Sequence, residues 1–166
     1  MSPIKEIEMT ATPVIRGAGE GDRRWFYGGG FHTWKVTEAD SGGAFFLFED
    51  ELTEGKTTPW HCHPECDETI YLLEGQVDVN IDGRERRVSA GGMWMTPRGV
   101  PHAFVVVSPT ARLLAFQTPG SSARFYWDAS EPAGKDAGPV DFDRIRDVAA
   151  ETGQTAVLGP PPFART

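Results

Sequence analysis

The sequence predicts an all-β fold, a small sandwich or barrel, with one helix near its C-terminal end. Short apolar stretches recur with turn residues between them, at 44–52, 68–75, 76–83, 93–99, 102–108 and 111–118. Several alternate by twos, as Val77, Val79 and Ile81 do against Gln76, Asp78 and Asn80, which marks strands with one buried face. Gly and Pro supply 19 and 13 of the 166 residues, punctuation that suits many short strands.

Taken in order, residues 1–30 read as an arm, in which 10–15 is a candidate added strand and Gly28, Gly29 and Gly30 form a hinge. Residues 31–127 hold the barrel strands. Within them Asp82-Gly83 is a pair of the type that closes a tight hairpin, with a slightly longer loop as the alternative. Residues 128–166 begin with a Pro, Gly and charge-rich linker or mobile loop at 131–139. A helix follows, with Asp141 as N-cap, Val140 and Ile145 as the hydrophobic staple, and Phe142, Ile145, Val148 and Ala149 as the apolar stripe. Gly153 suits its left-handed stop. This helix either packs on the outside of the barrel or covers its mouth as a lid, with 158–163 docking beside it. No internal repeat is visible, so one barrel unit is expected.

At 39% hydrophobic, a chain of 166 residues suits a single domain that buries about two-thirds of its unfolded surface. The net charge of −8 and the lack of a basic patch exclude nucleic acid and anionic membrane as expected partners. The first residues lack the apolar stretch of a signal peptide, and no apolar run approaches the roughly 18 residues of a spanning helix, so a cytoplasmic location is expected.

The chemistry concentrates in two segments, WHCHPECDETIYLLEG at 60–75 and GGMWMTPRGVPHAF at 91–104, which hold three of the four histidines. His61 and His63 are two apart, so on an extended strand both imidazoles project to one face. Glu68 and His102 can complete a set of three nitrogens and one carboxylate, a mix suited to one divalent transition metal, Fe, Ni, Co, Mn, Cu or Zn, over Mg or Ca. Glu65 and Asp67 compete for the carboxylate position. Counting by twos from Glu68 reaches Ile70 and Leu72, an interior face, whereas Asp67 shares its face with Thr69 and Tyr71. Cys62 and Cys66 bracket His63 and raise a structural zinc site as the rival. Cys62, however, lies between two same-facing histidines and should point away from them, and a disulfide is disfavoured in a reducing cytosol. The fourth histidine, His32, reads as a hydrogen-bonded core residue outside the metal set.

These two segments resemble the motifs of the cupins. Gly55, His61, His63, Glu68 and Gly75 match the first motif with every spacer in range, and Gly91, Pro97, Gly99 and His102 match the second. The second then departs, because its Asn would fall on Val106. The resemblance implies a double-stranded β-helix (jelly-roll) barrel. Within the cupins the layout is similar to the single-barrel proteins grouped with quercetin 2,3-dioxygenase. That implies a dioxygenase acting on a hydroxylated aromatic or enolic small molecule, with Glu68 as metal ligand and general base. A metal-assisted isomerase, cyclase or lyase and a non-catalytic binding cupin are the alternatives.

Trp60, Trp94, Met95, Phe104 and Phe116 are candidates for the pocket wall, although most should be simple core. A homodimer that uses residues of the first 30 is expected, since an added strand leaves sheet edges to satisfy.

Overall fold

The computed structural model describes residues 11–26, 30–134 and 140–164. Its strands are β1 (Arg23–Phe26), β2 (Gly30–Val36), β3 (Phe46–Thr53), β4 (Trp60–Cys62), β5 (Asp67–Glu74), β6 (Gln76–Ile81), β7 (Arg84–Ser89), β8 (Met93–Thr96), β9 (His102–Val106), β10 (Thr110–Thr118), β11 (Ser130–Pro132) and β12 (Ala156–Gly159). Two helices, α1 (Ala123–Asp128) and α2 (Phe142–Thr152), join them. The strands pair antiparallel in two sheets, one ordered β11-β1-β2-β3-β10-β5-β8 and the other β12-β4-β9-β6-β7. This is the expected all-β jelly roll.

Alternation builds the core. Along β10, Ala111, Leu113, Ala115 and Gln117 are buried while their neighbours are less so. Leu113 faces Leu72 across one ladder, and Ala115 faces Phe48 across the other. Val77, Val79, Phe104 and Val106 of the smaller sheet close on Phe46, Phe48, Ile70 and Leu72 of the larger in one apolar cluster. Val106, at the position where the second motif has Asn, is 1% exposed within that cluster, and the apolar environment explains the departure. Asp82 and Gly83 close β6 onto β7 with φ of 52° and 80°, so Ile81 pairs directly with Arg84 as in a two-residue type I′ turn.

The arm differs from expectation. Among described residues, 11–22 form no strand, and the added strand is β1, laid between β2 and β11. Pro13 removes a ladder donor from the earlier stretch. That stretch is instead fixed by single contacts: Thr12 N–H donates to the Asp40 carbonyl, and Arg16 donates to the Asp40 carboxylate at 3.0 Å. Of the hinge glycines, Gly28 and Gly29 lie outside the described residues. Gly30 opens β2, where a Cβ would lie 2.9 Å from the Glu51 carbonyl oxygen and also meet Leu52 Cδ2, so the close backbone approach favours glycine. The first residues of the expected linker belong to β11, and 135–139 lie outside the described residues.

α2 forms as expected. Asp141 accepts from Arg144 N–H at 2.9 Å, and Gly153 ends the helix with φ 67°. Its stripe of Ile145, Val148 and Ala149 packs on Phe125 and Ala129 of the α1 region. α1 was not anticipated, and it brings Phe125 and Tyr126 over one end of the barrel beside Ile145.

Candidate metal centre

β4 and β9 pair through the single rung His61 to His102, which sets these two imidazoles side by side with ring centroids 4.3 Å apart. His63 follows β4 on the same face, 5.0 Å from His61 and 5.4 Å from His102 by ring centroid. All three side chains are buried, and one ligand nitrogen of each lies within 4.8 Å of the others. Glu68 reaches in from β5 in the opposite sheet. Its Oε2 lies 3.0 Å from His102 Nε2, and its Oε1 lies 3.5 Å from His63 Nε2. Asp67 points outward and pairs with Arg98 at 3.0 Å, so alternation separates the two carboxylates as expected.

The rings are oriented from behind. His61 Nδ1 lies 2.8 Å from the Pro59 carbonyl and His102 Nδ1 lies 3.0 Å from the Val100 carbonyl. A carbonyl only accepts, so each Nδ1 carries a proton, and the Nε2 atoms are turned toward the centre. His63 Nδ1 meets Thr155 Oγ1 at 3.2 Å. The donor set thus fits a divalent transition metal: three imidazoles fixed through Nδ1, with a buried carboxylate beside them.

The electrostatics suit a cation. Burial and the neighbouring His102 and His63 push His61 well below the ordinary imidazole range, which leaves it neutral and ligand-competent. Burial alone would raise the Glu68 carboxyl, but hydrogen bonds and charge from His102 and His63 hold it well below the usual carboxylate range. At His102 burial opposes the charged form, yet the Glu68 carboxylate and the Val100 carbonyl outweigh it and raise its pKa. Glu68 therefore stands ionised although it is buried.

Two residues at the centre were missed by sequence reasoning. Gln117 Nε2 donates to Glu68 Oε1 at 2.8 Å, and the Tyr126 hydroxyl donates to the same oxygen at 3.2 Å. Gln117 Oε1 in turn accepts from Ser122 Oγ. Burial, then the charges of Glu68 and Asp50, push the Tyr126 phenol well above its usual range, so it stays protonated and donates. Gln117 carried a signal, since it is the polar residue on the inward face of β10 after Ala111, Leu113 and Ala115.

The cysteines stand apart from the cluster, both as free thiols. Cys66 Sγ lies 3.2 Å from Ser121 Oγ, and burial pushes the half-buried Cys62 thiol up. A cavity opens beside the centre, where His61 and Glu68 reach a wall of Phe48, Leu52, Ile70, Phe104, Ala115, Phe125 and Ile145. Of the aromatic and Met candidates only Phe104 lines it. Trp94 is core, Phe116 packs on Phe45, and Met95 is half-exposed because strand alternation turns it outward.

A two-sheet jelly roll with three histidines from one sheet facing a glutamate from the other is the architecture of a cupin. A cupin domain matches residues 48–116, the stretch that holds His61, His63, Glu68 and His102. It is 26% identical over 150 residues to the quercetin 2,3-dioxygenase of Bacillus subtilis, covering 87% of this chain and 44% of that protein. The chain therefore spans less than half of that relative's length. KdgF from Halomonas sp. has a similar structure, with a TM-score of 0.60, 19% identity, and coverage of 65% of this chain and 94% of its own. An RmlC-like cupin from Shewanella frigidimarina gives a TM-score of 0.58 and 18% identity, covering 68% of this chain and 96% of its own. Among the described residues no helix is long and apolar enough to cross a membrane.

Proposed function

We propose that this cupin is a metal-dependent dioxygenase acting on a hydroxylated aromatic or enolic small molecule, with His61, His63, Glu68 and His102 holding one divalent transition metal. The observation that carries the reading is an ionised, buried carboxylate beside three imidazoles at the wall of an apolar cavity. The similarity to a quercetin 2,3-dioxygenase over most of the chain supports the choice of substrate class.

A metal so held supplies Lewis acidity toward a substrate oxygen and a redox-active centre for dioxygen chemistry. The chain's own residues do the rest. Glu68 is the general base: its carboxylate takes the proton of a substrate hydroxyl, and the O–H electron pair stays on the substrate oxygen. Gln117 and Tyr126 donate to Oε1, which fixes the carboxylate and leaves Oε2 on the His102 side. Phe48, Ile70, Phe104 and Phe125 give the flat unsaturated substrate an apolar bed and keep water scarce.

Elemental analysis of the purified protein, followed by oxygen uptake with flavonols and 1,3-diketones, tests the proposal. Uptake stoichiometric with substrate loss is expected. Conversion at the same rate without O2 would replace the dioxygenase by a metal-assisted isomerase, cyclase or lyase. Binding without turnover would make the protein a small-molecule binding cupin.

A further inference from the structure

The same cavity has a second polar cluster, built from residues that the metal centre does not use. His32 on β2 pairs in register with Asp50 on β3, and its Nδ1 lies 3.5 Å from Asp50 Oδ1. Lys56, 6% exposed, lies within the field of Asp50, with Nζ 5.1 Å from the centroid of the Phe26 ring. All three line the cavity whose wall also includes His61 and Glu68. His32 is 2% exposed, and its Nε2 meets no hydrogen-bond partner among the described residues. Buried ring nitrogens are nearly always satisfied, so an unmet one on a cavity wall calls for a polar partner, water or ligand, within the cavity.

The chemistry of that ligand follows from the donor and acceptor roles. With Nδ1–H directed at the Asp50 carboxylate, Nε2 presents a lone pair, while the lysine ammonium presents only donors. A hydroxyl matches both roles, since it can give its hydrogen to Nε2 and accept from an ammonium. We propose that His32, Asp50 and Lys56 form a second subsite of the cavity, which takes and ionises a phenolic or enolic hydroxyl of the bound molecule. The hydroxyl O–H bond breaks, the proton moves to His32 Nε2, and the electron pair stays on the oxygen beside the Lys56 ammonium. Before the transfer the cluster holds one carboxylate and one ammonium; afterwards it holds an imidazolium and an oxyanion as well. Its net charge is zero in both states, which is what an apolar cavity tolerates. Burial pushes the Lys56 ammonium down to about 8 against the pull of Asp50, so it is charged at neutral pH.

Between the two polar centres lies Tyr126. Its ring centroid is 6.4 Å from that of His32, and its hydroxyl donates to Glu68. A molecule with oxygen functions at both ends would meet the metal centre with one and His32 with the other. This deepens the reading of a hydroxylated substrate, and its test needs neither dioxygen nor turnover. 4-Nitrophenol reports its own ionisation by the visible absorbance of its phenolate, so it is titrated into the metal-loaded protein at about pH 6, where it is mostly neutral in solution. The expected result is saturable binding with the phenolate band appearing on binding. 4-Nitroanisole, of similar shape but without the hydroxyl, should bind at least tenfold more weakly. Lys56→Met and His32→Phe should each lower 4-nitrophenol affinity at least tenfold and remove the band, with metal content and circular dichroism as wild type. Binding should persist after a chelator removes the metal. The proposal is overturned if wild type does not bind 4-nitrophenol, if it does not prefer it to 4-nitroanisole, or if binding disappears with the metal. Failure of oxygen uptake, by contrast, would sink only the dioxygenase.

Discussion

Replacing Lys56 by Met should change how the stability of the protein depends on pH. Lys56 is 6% exposed, and burial pushes its ammonium from the ordinary 10.5 down to about 8 despite the nearby Asp50. At about 1.4 kcal/mol per pH unit, that gap corresponds to about 3 kcal/mol of stability. The sign follows from proton counting. Between about 8 and 10.5 the unfolded chain keeps the lysine proton and the folded protein has released it, so stability rises with pH across this window. Below about 8 both states hold the proton, and the folded state bears the full cost of a buried cation. Methionine fills similar volume and has nothing to titrate. Urea unfolding of wild type and Lys56→Met at neutral pH and at about pH 10 measures the effect. Groups such as Tyr126 that titrate nearby are common to both proteins and cancel in the difference. Wild type should gain about 2 to 3 kcal/mol on the variant over that interval, a large share of a total near 5–15 kcal/mol. Parallel curves, within about 0.5 kcal/mol, would show that the ammonium reaches water through the cavity, and the burial reasoning would be wrong.

Three further predictions concern the metal centre and assembly. His61→Ala, His63→Ala and His102→Ala should each lower metal occupancy by elemental analysis at least tenfold, whereas Cys62→Ser should match wild type; loss of metal in Cys62→Ser would return the mixed Cys and His zinc site. Glu68→Gln should keep part of the metal yet lose about a hundredfold or more in kcat, as for removal of a general base, and equal losses of metal and rate would reduce Glu68 to a ligand alone. The protein should be a homodimer by light scattering, and deletion of residues 1–21, which spares β1, should shift it toward monomer; an unchanged mass would remove the arm from the interface.

The convergence of most of the candidate site was legible because a strand repeats every two residues. Once His61 and His63 share a face and Glu68 shares one with Ile70 and Leu72, inward placement follows from spacing alone. α2 was legible for the same kind of reason, having a cap, a stripe and a left-handed stop within one short segment. What was hidden lacks a period. α1 is six residues long, too short for a helical repeat to stand out, so Tyr126 gave no sign that it would reach Glu68. β1 is only four residues with two arginines, and it is a strand because β2 and β11 flank it. His32 looked like core and is buried as core, but its satisfaction by partners is a three-dimensional property that no spacing encodes.

The three histidines and Glu68 come from opposite sheets, and two of those histidines sit on strands that share a single rung. A cation held by all four, as proposed, would act as a cross-link through the middle of the sandwich, beside the single rung between β4 and β9. Any free energy with which it is held adds to the resistance of the barrel to opening, since the unfolded chain has no such grip. The melting temperature would then serve as a gauge of metal binding. A titration of candidate metals followed by heat alone would rank them before any substrate is known.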